Sequence, residues 1–272
     1  MVQVKEYKLH PKPLKFFLLT FFIGLLFSFC SFSLPAIAQD EEMKIAVAAN
    51  LLQPMRKVKE LYERNFNSSF TLIPGSSGKL TAQILNGAPY DVFLAADMKY
   101  PQQIYAQGHG AREPEVLARG KLVFWSNKKV DAADIESYLK SKAVRSVALA
   151  QPELAPYGRR TEYWMREEGM YELLLDKIIF GESIGQVNQY IRSSTVDAAF
   201  TAISAMYAPE LKEKGYWLPL EIEGGDQADL DHGMVLLTNA TAESYTINQF
   251  LGFMRSPTVR QVFQDYGYEL PE

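Results

Sequence analysis

The chain has 272 residues, 47% of them hydrophobic, with a formal net charge of −4 and a single cysteine. The acidic balance argues against nucleic acid as a partner, since its binders carry basic patches, and one cysteine excludes a disulfide framework. Sixteen phenylalanines, 15 tyrosines and three tryptophans supply apolar material for one large domain or two smaller ones.

The predicted elements begin with a leader. Lys5, Lys8, Lys12 and Lys15 precede the apolar run FFLLTFFIGLLFSFC (16–30), and Ala36-Ile37-Ala38 follows. Basic, apolar and small residues in that order predict a secretory signal over 1–38, cleaved after Ala38. The run falls short of the roughly 20 apolar residues of a spanning helix. A lipid anchor on Cys30 fits poorly behind bulky Phe29. Cleavage would remove the only cysteine and the four lysines, and the resulting acidic, cysteine-free chain suits the bacterial cell envelope.

From Met43 onward, short β-rich runs alternate with helical periodicities. KIAVAA (44–49) reads as a buried strand running into Asn50; Leu51, Met55, Val58 and Tyr62 then mark one helical face. SFTLIPG (69–75) predicts a strand broken at Pro74-Gly75, followed by a helix over 79–86. DVFLAAD (91–97) predicts a third strand, with a short helix over 101–107. Three such alternations point to an α/β domain with a parallel sheet. The pattern restarts at KLVFWS (121–126) and continues with a strand and loop over 146–158, a helix over 159–168, KIIFGES (177–183), a helix over 185–192 and DAAFTAI (197–203). HGMVLL (232–237) and helices over 242–254 and 257–266 finish the chain. Two α/β lobes follow from this order, with Lys121 and Asp229 near the crossings between them.

Ligands of open α/β sheets sit beyond the carboxyl ends of the strands. The residues at those places are Ala49-Asn50, Ser76-Ser77, Ala155-Pro156-Tyr157 and Ser183-Ile184. The set holds hydroxyls, one amide and backbone N–H groups, with no arginine and no histidine. Helix N-termini offer unpaired N–H donors and about half a positive charge, so several together can hold an anion without a cationic side chain. Asn50 and Ser77 are then expected as N-caps turned also toward a ligand. Each also has a plainer reading: caps alone for Asn50 and Ser77, a turn for Gly75 and Gly78, a packed ring for Tyr157, a helix-start breaker for Pro156.

IPGSSGKLT (73–81) is not a P-loop, because Ile73 and Leu80 stand where that motif needs glycine and a hydroxyl residue. The separated His109 and His232 make no metal site. Asp91 and Asp97 read as solvated or helix-capping acids, and Lys79 as solvent-facing. Ser76 and Ser77 lack the G-x-S-x-G elbow of a nucleophile.

AVAANLLQPM (46–55), GSSGKLTAQILNGAPYDVFLAAD (75–97), GKLVFWS (120–126), QPELAPYG (151–158), ESIGQ (182–186) and YGYELP (266–271) together resemble the periplasmic molybdate-binding proteins of ABC transporters over nearly all of residues 39–272. The resemblance implies the type II periplasmic binding protein fold: two lobes, each a mostly parallel sheet flanked by helices, joined by a two-stranded hinge. Lobe 1 would comprise 39–120 and 230–272, and lobe 2 would comprise 121–229. It implies a periplasmic monomer without enzyme activity or cofactor, closing on molybdate or tungstate and delivering it to an inner-membrane permease with a cytoplasmic ATPase. Sulfate or another tetrahedral oxyanion is the alternative ligand. By position the oxyanion would meet the N–H of Ala49, the backbone and side chain of Asn50, the hydroxyl and N–H of Ser77, and the N–H groups of Tyr157 and Ile184; no residue is a direct metal ligand. Ala202 stands where many members place a ligand-binding tyrosine, so one donor is missing.

Overall fold

The computed structural model describes residues 42–222 and 230–271. The leader, Cys30 and Asp229 lie outside the described residues. The chain first runs through β1 (Met43–Ala48), α1 (Leu52–Asn65), β2 (Phe70–Gly75), α2 (Ser77–Leu85), β3 (Val92–Leu94), α3 (Lys99–Ala106) and β4 (Glu115–Arg119). It continues through β5 (Leu122–Ser126), α4 (Ile135–Lys140), β6 (Val147–Ala150), α5 (Pro156–Glu167), α6 (Tyr171–Leu174), β7 (Ile178–Gly181), α7 (Ile184–Arg192), β8 (Ala198–Ala202) and β9 (Tyr216–Pro219). It ends with β10 (Asp231–Leu236), α8 (Ser244–Met254) and α9 (Pro257–Asp265).

These strands form two five-stranded sheets, ordered β2-β1-β3-β10-β4 and β7-β6-β8-β5-β9. In each, one strand opposes the other four: β10 is antiparallel to β3 and β4, and β5 to β8 and β9. The opposing strand is the one that enters from the other lobe, since β5 directly follows β4. The remaining parallel strands therefore all point their carboxyl ends into the space between the lobes.

Local chemistry accounts for most elements. β1 is buried almost throughout, matching its continuous apolar run. Met55, Val58 and Tyr62 seat α1 on the first sheet. The Tyr62 ring meets Phe70 (5.4 Å), Phe253 (5.5 Å) and Phe250 (6.0 Å), which brings the chain's C-terminal helices back onto the first lobe. β2 continues through Pro74 and Gly75, which pair with Val47 and Ala48. The expected break there is absent because β2 is an edge strand, where a proline's missing N–H costs no ladder bond.

β4, β9, α4 and α6 are not evident in the sequence periodicity. β4 and β9 are short edge strands, held by pairing to β10 and β5 rather than by a pattern of their own. The two acids flanking β3 are buried, not solvated. Asp91 accepts from the N–H groups of Thr241 (2.6 Å), Ala242 (2.9 Å) and Lys44 (2.6 Å), tying three segments together. Among the described residues, no helix is long and apolar enough to cross a membrane.

One glycine sets how closely a helix approaches the end of its strand. A Cβ on Gly158, in the first turn of α5, would stand 2.1 Å from the Ala150 carbonyl oxygen at the end of β6. Backbone cannot yield as a side-chain tip can. Gly158→Ala should therefore cost about 1–3 kcal/mol of stability, seen as a lowered urea midpoint; an unchanged midpoint would contradict this packing.

Candidate functional site

Ala49, Asn50, Ser77, Tyr157 and Ile184 come together around one cavity between the lobes, with Ala48, Gly75, Ser76, Ala96, Ala155, Pro156 and Ser183 completing its wall. The space is small, about 10 Å³. A wider groove of about 460 Å³ shares Ala49, Asn50, Gly75 and Ser183 with it and carries Arg56, Lys79 and Arg192. No side chain with a formal charge lines the inner cavity. Ala202 is fully buried in β8 and is not part of its wall.

Three helices begin at this cavity: α2 at Ser77, α5 at Pro156 and α7 at Ile184. Their N-cap residues are Ser76, Ala155 and Ser183, and none makes a side-chain capping bond. None of the three carries an acidic residue in its first turn. First-turn N–H groups have no intrahelical acceptor, so those of Ser77, Tyr157 and Ile184, all residues of the cavity wall, keep their partial positive charge. Pro156 at the first helical position fixes the backbone ahead of the Tyr157 N–H.

Ser77 is not the N-cap expected from sequence; it stands one residue later, in the helix. Its Oγ accepts the Ala96 N–H (3.0 Å), which orients the hydroxyl and leaves its own hydrogen for another acceptor. Asn50 is likewise no α-helix cap, because a 3₁₀ turn (Ala49–Leu51) separates β1 from α1. Its amide nitrogen faces His232 Nε2 (2.5 Å) and donates to the Tyr268 hydroxyl (3.0 Å). Its carbonyl accepts from the hydroxyls of Tyr268 (3.0 Å) and Ser204 (2.8 Å). Both amide hydrogens are thereby engaged, and the backbone N–H is the donor Asn50 has left.

The ring of His232 decides that orientation. Its Nδ1 lies 2.8 Å from the Leu230 carbonyl, which can only accept, so Nδ1 carries the proton and Nε2 accepts from Asn50. Burial lowers the imidazole from 6.5 to about 4, keeping it neutral. This positioning role has no signature in the sequence, where His232 is a lone histidine at the start of a strand.

Several bonds close the two lobes on each other. The Gly78 N–H donates to the Leu154 carbonyl (2.9 Å) and Gln53 donates to Glu210 (2.8 Å). Lys79 is exposed, as expected, and also pairs with Glu182 across the cleft (2.6 Å). Asp97 pairs with Arg159; burial raises its carboxyl above the usual range, and the arginine opposes that shift. Among the described residues, no cluster of three or more histidine, cysteine or acidic side chains could hold a metal ion.

Two lobes meeting at the carboxyl ends of their sheets, with three helix N-termini between them, define a two-lobed solute-binding protein. A family model described as bacterial extracellular solute-binding protein matches residues 43–269, and the chain belongs to that family. The molybdate-binding protein ModA of Azotobacter vinelandii is 30% identical over 239 residues, covering 87% of this chain and 93% of the relative. Its namesake from Rhodobacter capsulatus is 30% identical over 237 residues, covering 87% and 90%. The solved periplasmic molybdate-binding protein of Azotobacter vinelandii superposes with a TM-score of 0.75 at 28% identity, covering 85% of this chain and all of that one.

The neutral His232 ring links stability to pH. The ring titrates near 6.5 when unfolded and near 4 when folded. Its contribution is therefore whole above pH 6.5 and disappears as pH falls through 4, amounting to about 3 kcal/mol at most. His232→Gln, which does not titrate, should lose less stability than the wild type between those pH values; parallel urea-stability curves would refute this.

Proposed function

We propose that this chain is the extracytoplasmic binding component of an ABC importer for molybdate and tungstate, working as a periplasmic monomer. On this reading it hands its cargo to an inner-membrane permease driven by a cytoplasmic ATPase. It binds and releases without catalysis and without a cofactor, and molybdenum is held as the oxyanion. The lobes are 39–120 with 230–272, and 121–229. The observation that carries the reading is the convergence of three uncapped helix N-termini and the Ser77 hydroxyl on a cavity without a charged side chain. The names of the two relatives and of the solved structure support the choice of molybdate.

The donors would be the N–H groups of Ala49, Asn50, Ser77, Tyr157 and Ile184 together with the Ser77 hydroxyl. About six hydrogen bonds to a charged ligand, at roughly 1.5 kcal/mol each, supply about 9 kcal/mol, equivalent to sub-micromolar affinity before the cost of closure. N–H groups only donate, and Ser77 Oγ already accepts the Ala96 N–H. A protonated oxyanion such as phosphate would leave its own hydroxyl unmatched. Sulfate, the alternative, has the right charge but shorter bonds, so fewer of its oxygens reach donors at once. A hydrolase using Ser77 finds no support, because both nitrogens of His232 already have partners.

Ser77→Ala should weaken molybdate binding by about 1–3 kcal/mol in calorimetry, and unchanged affinity would remove Ser77 from the site. Molybdate should raise the melting temperature of the wild type while phosphate leaves it in place. Equal stabilisation by both would defeat the choice of a bare dianion.

A further inference from the structure

Ser76 is the N-cap residue of α2 and is 3% exposed, yet its Oγ makes no hydrogen bond. An N-cap serine ordinarily accepts an N–H from its own first turn. Here the Gly78 N–H goes across the cleft to Leu154 and the Leu80 N–H goes to the Ser76 carbonyl. Ser76 is one of the residues that line the inner cavity. A buried hydroxyl without a partner costs stability, and Ser77, Tyr157 and Ile184 line the same cavity as Ser76. Tyr157 also has an unpartnered buried hydroxyl, but it lies beside Gly120 at the lobe crossing, where a glycine Cβ would stand 2.1 Å from it.

We propose that the Ser76 hydroxyl is a further donor to the bound oxyanion, its capping role given up to ligand binding. The inference rests on the oxyanion reading above. It places two adjacent hydroxyls at the start of α2. Ser77 is oriented by the Ala96 N–H, whereas Ser76 is left for the ligand to order.

The test compares wild type, Ser76→Ala and Ser76→Gly by calorimetric titration with molybdate, tungstate, sulfate and phosphate, alongside ligand-free melting curves. Glycine is a tolerated N-cap, so Ser76→Gly remains informative if the alanine variant folds poorly. The expected result is a tenfold or greater loss of molybdate affinity in both variants, with the ligand-free melting temperature of Ser76→Ala equal to or above that of the wild type. Wild-type affinity in Ser76→Gly overturns the proposal, as does a lowered ligand-free melting temperature in Ser76→Ala, which would mark an ordinary cap. If the wild type binds none of the four oxyanions, the oxyanion reading fails and this inference falls with it; binding by the wild type with unchanged variants defeats the inference alone.

Discussion

Unpaired backbone donors are the constraint on which this structure depends. Every α-helix begins with N–H groups that lack an intrahelical acceptor, and proteins commonly satisfy them with a capping side chain or water. At the starts of α2, α5 and α7 the capping bond is absent and no first turn carries an acid. The need for an acceptor is thus carried into the cavity between the lobes. Hydrogen-bond directions set in backbone are aimed more rigidly than a lysine or arginine could be, which favours recognition by shape and protonation state over charge alone.

Closure and recognition use overlapping parts. The Gly78 N–H of α2 meets the Leu154 carbonyl across the cleft, beside the Ser77 group that faces the cavity. Arg159 extends from α5, whose first turn carries the Tyr157 N–H, to buried Asp97 behind β3. The strength of that pair is bounded by the cost of burying the carboxylate, so it contributes more to alignment than to stability. The flanking pair Lys79–Glu182 is exposed and worth little by itself, yet it joins the start of α2 to the loop before α7. The elements that present donors are the elements that hold the lobes together.

Beneath the cavity, the neutral rings of Tyr157, His232 and Tyr268 pack at the crossing between lobes, with centroids 6.1 and 5.2 Å apart. Tyr268 and His232 grip Asn50 from the first lobe, and Ser204 grips its carbonyl from the second. Asn50 is therefore a joint between the two lobes. Its side chain sets the position of the 3₁₀ turn, and the backbone of that turn faces the cavity.

Much of the architecture was legible in the sequence, because apolar runs such as KIAVA and the helical spacing of Met55, Val58 and Tyr62 carry their period locally. The strand-to-helix loops at Asn50, Ser77, Tyr157 and Ile184 could be named for the same reason: each is a local change of period at a known end of a strand. The edge strands β4 and β9 could not, since their pairing depends on distant partners. Nor could the direction of a side chain be read. That Asn50 turns onto His232, that Asp91 and Asp97 are buried, and that Lys79 spans the cleft depend on contacts between residues far apart in the chain. Local sequence specifies where donors occur; only the packing of two lobes decides which of them remain without a partner.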